Sequence, residues 1–183
     1  MRRSSPPSSP SSPFALSLHA ATGREYAAFV ARNLRRAHAL LRPPLRELSV
    51  AFVGDQRMSR LHSQFMGIAS PTDVLTFELD YDSRGRVAAG EVVVCLPEAR
   101  RQARARATPV RRELLLYALH GMLHLCGFDD RTDPAFRKMH RTEDDTLTRL
   151  GLGPVFAPKP AARSGASRRS QSAARPARTG ARQ

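Results

Sequence analysis

The sequence predicts a single α+β domain over residues 14–156, with a mixed four-stranded sheet packed with about five helices. Three observations point there. Apolar residues recur at strand spacing in some segments and at helical spacing in others, and the two kinds interleave except for two adjacent strands mid-chain. One Leu-rich run from Val110, free of Pro and broken only by Gly121, is apolar on every side and so reads as a buried central helix. The ends, by contrast, carry no apolar period.

Taken in order, Ala15 to Ala21 alternates weakly as a first strand, and Tyr26, Phe29, Val30, Leu34, Ala37 and Leu41 mark an amphipathic helix that Pro43-Pro44 ends. Leu48, Val50 and Phe52 alternate as a second strand from Glu47 to Gly54. Asp55 is placed to cap a short helix through Phe65, with Met58, Leu61, His62 and Phe65 on its inner face. Val74 to Leu79 is rich in branched and aromatic residues, Asp82 to Gly85 is a turn, and Gly90 to Leu96 is an almost wholly apolar central strand. Pro97 opens a basic helix with Arg100 and Arg104 on one face, a solvated face first and an RNA contact second. The central helix follows Pro109, and Asp133-Pro134 opens a last helix that Gly151 and Gly153 close.

Both ends are expected to be disordered tails. Residues 1–13 are nearly all Ser, Pro and Arg, and residues 157–183 have no aromatic and no branched aliphatic side chain. The C-terminal tail holds seven basic residues and no acid, and Arg2 and Arg3 add two more. Removing these nine from the formal net charge of +14 leaves +5 for the domain. The tail composition suits a polyanion-binding arm and a solubilising extension equally. Cys95 and Cys126 read as reduced and buried, not as a disulfide framework. The Ser/Pro run after Arg3 leaves no apolar signal segment, and no run is long enough for a membrane, so a cytoplasmic protein is expected.

The chemistry lies in His120-Gly-Met-Leu-His124-Leu-Cys-Gly127-Phe-Asp129-Asp130. His120 and His124 sit one turn apart on one helix face, where two imidazoles can grip one metal. Gly127 stands where a left-handed helix cap wants glycine, and the returning chain brings Asp130 as a third donor. A lone histidine on an apolar helix is usually a satisfied core residue. Two at this spacing with a carboxylate to follow favour a metal, because buried imidazoles carry a desolvation cost that leucine does not. Two His, one Asp and an open fourth position suit catalytic zinc. Asp129 is placed to orient a ligating histidine or take a proton, or else to serve the turn. His140 reads as a surface residue, and His19, His38 and His62 have no companion at metal spacing.

This stretch resembles the YbeY family of bacterial endoribonucleases, whose pattern is H-G-x-L-H-L-x-G-[YF]-D-H. Thr72 to Phe77, Gly90 to Val94, Met139 and Glu143 carry the resemblance across roughly residues 15–153. It implies a zinc-dependent, single-strand-specific endoribonuclease with one Zn2+ per chain. It further implies action in maturing the 3′ end of 16S rRNA and in ribosome quality control. The implied partners are single-stranded RNA, small-subunit rRNA and the ribosomal subunit, with no DNA and no membrane. The implied metal ligands are His120, His124 and Asp130, and His120 and Asp129 are the candidate catalytic residues. Asp130 replaces the family's third histidine, and Met66 stands where the family often has an arginine, leaving Arg57, Arg60 or the helix after Pro97 to meet phosphate. Attack by an activated water and attack by a ribose 2′-hydroxyl both suit such a site. Two other readings are a non-catalytic rRNA-binding assembly factor with a structural metal, and a metzincin-like metalloprotease. The protease reading requires Glu after the first histidine, where Gly121 stands.

If the basic tail contacts RNA backbone, deleting residues 157–183 flattens the slope of log K against log salt by about 0.7 per lost phosphate contact on single-stranded RNA. Binding isotherms across a salt series check this, and an unchanged slope makes the tail a passive extension.

Overall fold

The computed structural model describes residues 14–156, so the tails predicted at 1–13 and 157–183 lie outside the described residues. The elements run β1 (Ala15–Ala20), α1 (Arg24–Leu41), β2 (Glu47–Val53), α2 (Asp55–Met66), β3 (Val74–Tyr81), β4 (Val87–Cys95), α3 (Leu96–Ala105), α4 (Val110–Leu125) and α5 (Asp133–Arg149). This is the predicted α+β order. The sheet is ordered β1-β2-β4-β3. β1, β2 and β4 are parallel, and β3 pairs antiparallel to β4 at the edge. The hairpin follows from the short turn at Asp82, whose carboxylate accepts from the Arg84 and Arg86 amides at 2.8 and 3.0 Å.

One face of the sheet makes the main core. Leu48, Val50 and Phe52 of β2 lie beside Gly90, Val92 and Val94 of β4 and are covered by α1 and α4. The opposite face carries a smaller cluster, Val53, Met58, Leu75, Val93 and Cys95, under α2. The alternation along each strand thus sorts residues between two cores. α4 is apolar all round because it has neighbours all round: α1, α3, α5, β3 and β4.

Several local expectations are corrected. β3 and β4 are longer than their apolar runs. Glu78 to Tyr81 extends past the core on an exposed edge with irregular pairing, where apolar pattern does not mark a strand. Gly54, not Asp55, is the N-cap of α2, and the Asp55 carboxylate instead accepts two bonds of 2.9 Å from Arg101. Thr132, not Asp133, caps α5, its Oγ1 accepting from Ala135 N. Cys126 is half-buried, not fully buried like Cys95.

Two glycines let α4 settle onto the sheet. A Cβ at Gly121 would stand 2.7 and 2.9 Å from the Val92 methyls and 3.1 Å from Thr76 Cγ2. A Cβ at Gly90 would meet the Leu125 methyls at 2.6 and 2.8 Å. Position 121 therefore points into the sheet, away from any solvent cleft. Gly121→Glu is expected to destabilise the fold by at least about 3 kcal/mol, through overpacking and an unpaired buried carboxylate. Urea unfolding reads this directly, and an unchanged midpoint would show that the helix does not pack on the sheet as described.

Candidate metal centre

α4 and the turn after it build the site. Gly127 has φ 85°, which reverses the chain. Its amide donates to His124 O at 2.9 Å, and the Phe128 amide donates to Leu123 O at 3.1 Å. The Phe128 carbonyl then faces back and accepts from His124 Nδ1 at 3.0 Å. The same turn delivers Asp130, whose Oδ2 lies 3.6 Å from His120 Nε2 and 3.8 Å from His124 Nε2.

His120 is fixed from the other side. Its Nδ1 lies 2.7 Å from Glu143 Oε1, and the other oxygen of that carboxylate lies 2.7 Å from His140 Nδ1. Glu143 is fully buried between the two rings. A carboxylate and a carbonyl can only accept, so Nδ1 of both His120 and His124 carries the proton. Their Nε2 atoms, 3.0 Å apart, then turn lone pairs toward each other with the Asp130 carboxylate beside them. Two facing lone pairs repel unless a cation stands between them. The donor atoms of His120, His124 and Asp130 lie within 4.8 Å of one another and can hold a metal ion. Each imidazole already has the outer partner that metal-ligating histidines use.

The surrounding carboxylates favour positive charge at this point, whether a proton or a metal ion. Burial works against a charge on His120, but the hydrogen bond and charge of Glu143, helped by Asp130 and Asp73, raise its pKa above the ordinary 6.5. Burial pushes the Cys126 thiol up to about 12, so it is an unsuitable thiolate donor.

The structure brings together the three predicted ligands and leaves Asp129 apart. Asp129 Oδ1 accepts from the amides of Asp130 and Arg131 at 2.9 and 3.3 Å and meets the Arg131 guanidinium at 3.2 Å. Slight desolvation opposes its charge, but these donors outweigh that and lower its pKa. It makes no hydrogen bond to either imidazole, so the orienting role falls to Glu143. The sequence marked Glu143 only through the family resemblance. Its physical signal is a carboxylate in the apolar row Met139, Glu143, Leu147, a buried position that demands a partner. His140, read as a surface residue, is half-buried between Phe136, which it meets edge to face, and Phe156, tilted against it, at centroid distances of 4.0 and 3.9 Å. Met66 is 62% exposed at the end of α2, while Arg57 lines a groove of α2 and the sheet with Phe65 and Phe77. Arg106 does line a cleft with His120, held there by Glu113 at 3.0 Å.

An α+β domain presenting two imidazoles and a carboxylate on a central helix and its exit turn defines a candidate mononuclear metalloenzyme. The family described as Endoribonuclease YbeY matches residues 18–151, and the chain belongs to it. An Endoribonuclease YbeY of Geobacillus kaustophilus is 35% identical over 133 residues, spanning 67% of this chain and 85% of that protein. One from Geobacillus thermodenitrificans is 34% identical over 115 residues, spanning 58% of this chain and 74% of its own. The solution structure of TM1509 from Thermotoga maritima superposes with a TM-score of 0.51 at 25% identity, covering 81% of this chain and 99% of that one.

Glu143→Gln is expected to weaken metal affinity by about 10- to 100-fold, since it removes the charge behind His120. Because a protonated imidazole cannot ligate, wild-type affinity falls as pH drops through the raised His120 pKa, and the variant shifts that fall to lower pH. Chelator competition across a pH series measures both, and coincident curves for the two proteins would contradict the assignment.

Proposed function

We propose that this chain is a zinc-dependent endoribonuclease acting on single-stranded RNA. Its cellular role is maturation of the 3′ end of 16S rRNA and ribosome quality control, in the cytoplasm and in contact with the ribosomal subunit. The observation that supports this most is the convergence of two Nε2 lone pairs and one carboxylate in a chain of the Endoribonuclease YbeY family. Among the described residues no helix is long and apolar enough to cross a membrane.

His120, His124 and Asp130 would hold one zinc ion. When bound, it supplies Lewis-acid chemistry toward a phosphate oxygen or a water. The chain's residues do the rest. Glu143 and the Phe128 carbonyl fix the tautomers that direct both Nε2 atoms to one point. With both ring nitrogens engaged, His120 serves as a ligand and not as a proton carrier. Asp130 contributes a negative charge where the family pattern has a neutral imidazole, which lowers the net positive charge offered to phosphate. Arg106, at the end of the basic helix after Pro97, lines a cleft with His120, and we assign it the phosphate contact that Met66 cannot make.

The protease reading lacks its base, because position 121 faces Val92 and Thr76. The exposed Met66 is the observation that favours a non-catalytic rRNA-binding factor. Incubating the protein with single-stranded RNA, with and without chelator, separates that reading from a nuclease.

His124→Ala is expected to lose both bound metal and RNA cleavage, whereas Asp129→Ala keeps the metal because its carboxylate serves the turn. Metal analysis and oligonucleotide cleavage on the same preparations check this. Equal metal content in wild type and His124→Ala would remove the basis of the proposal.

A further inference from the structure

Beside the metal ligands lies a cleft of about 310 Å³ whose walls include His120, Arg106, Asp73, Phe136, His140 and Phe156. Phe136 and Phe156 are 48% and 41% exposed, although aromatic rings normally bury most of their surface. Both are held in place. The His140 ring sits between them, and Glu143 fixes His140. The Asp144 carboxylate accepts from the amides of Val155 and Phe156 at 2.6 and 3.1 Å, and Arg112 donates to the carbonyls of Gly153 and Pro154 at 2.9 and 2.7 Å. The segment bearing Phe156 is thus tied to α4 and α5 and presents a half-exposed ring to the cleft.

Resting on the proposed RNA-cleaving function, we propose that this cleft is a nucleobase subsite. It takes one base of a single-stranded RNA, packed against the half-exposed rings of Phe136 and Phe156 that line the cleft, next to the phosphate that reaches the metal ligands. The chemistry of the walls favours a base over a phosphate. Asp73 Oδ1 accepts from Thr72 Oγ1 and the Val74 amide at 3.0 and 2.9 Å, and Oδ2 has no partner among the described residues. A carboxylate repels phosphate but accepts from an exocyclic base amine. Arg106 supplies a cation for the adjoining backbone, its Nη1 alone being engaged, with Glu113. Stacking on aromatic rings is a general means of holding single-stranded bases, and only an unpaired base can enter such a cleft.

The test is a mutant cycle between protein and RNA. Full-length protein kept metal-free with chelator is titrated with a single-stranded RNA and with copies in which each nucleotide in turn is abasic. Wild type is expected to lose roughly 5- to 30-fold in affinity when one particular base is missing. Phe136→Ala and Phe156→Ala should bind intact RNA more weakly by a similar factor and be indifferent to that abasic position. Phe156→Tyr, which keeps the ring, should retain the wild-type discrimination. Wild type that binds RNA but is insensitive to every abasic position overturns the subsite, as do alanine variants that still discriminate. Both leave the nuclease reading standing. RNA that neither binds nor is cleaved by the zinc-loaded protein overturns the nuclease reading, and the subsite with it.

Discussion

The buried Glu143 carboxylate is the interaction on which the site depends. It is fully buried, and each of its oxygens is taken by a histidine at 2.7 Å. A carboxylate without partners in that position would be strongly destabilising, so α5 must lie where both imidazoles reach it. One bond directs His120 Nε2 toward Asp130, and the other holds His140 in the wall of the adjoining cleft. A packing requirement of α5 on α4 and the orientation of a metal ligand are therefore one constraint.

α4 meets a second constraint on its opposite side. Without side chains at Gly121 and Gly90, the helix lies close enough to β3 and β4 for Leu125 and the Val92 methyls to fill the contact. The sheet decides which helix face is buried, and the exit turn decides where Asp130 returns. Gly127 with its positive φ makes that return possible, and the Phe128 carbonyl it exposes orients His124. Packing, turn and ligand orientation are carried by eleven consecutive residues, from His120 to Asp130, together with one residue of α5.

That locality explains what was legible beforehand. The element order was readable because most segments carry a period or a strand-type composition, and α4 because its apolar residues surround the helix axis. The grouping of His120, His124 and Asp130 was readable because two are one turn apart and the third follows a glycine. What could not be read depends on contacts between distant segments. Glu143 looks like any helix carboxylate until α5 packs on α4. His140 is flanked by Met139 and Arg141 near Arg137 and Lys138, which suggests solvent, yet Phe136 and Phe156 enclose its ring. The caps at Asp55 and Asp133 were misplaced by one residue, because Gly54 and Thr132 satisfy the same geometric need. For Asp129 the sequence left orientation of a histidine, proton transfer and service to the turn open, and the path of the turn shows its carboxylate binding the backbone amides of Asp130 and Arg131.

X-ray absorption on the zinc-loaded full chain tests the central claim most directly, since it reports the donor atoms themselves. The geometry described here predicts one zinc per chain with only nitrogen and oxygen neighbours at about 2.0–2.2 Å and the outer-shell pattern of two imidazoles. A sulfur neighbour near 2.3 Å, a single imidazole, or no stoichiometric zinc would contradict it.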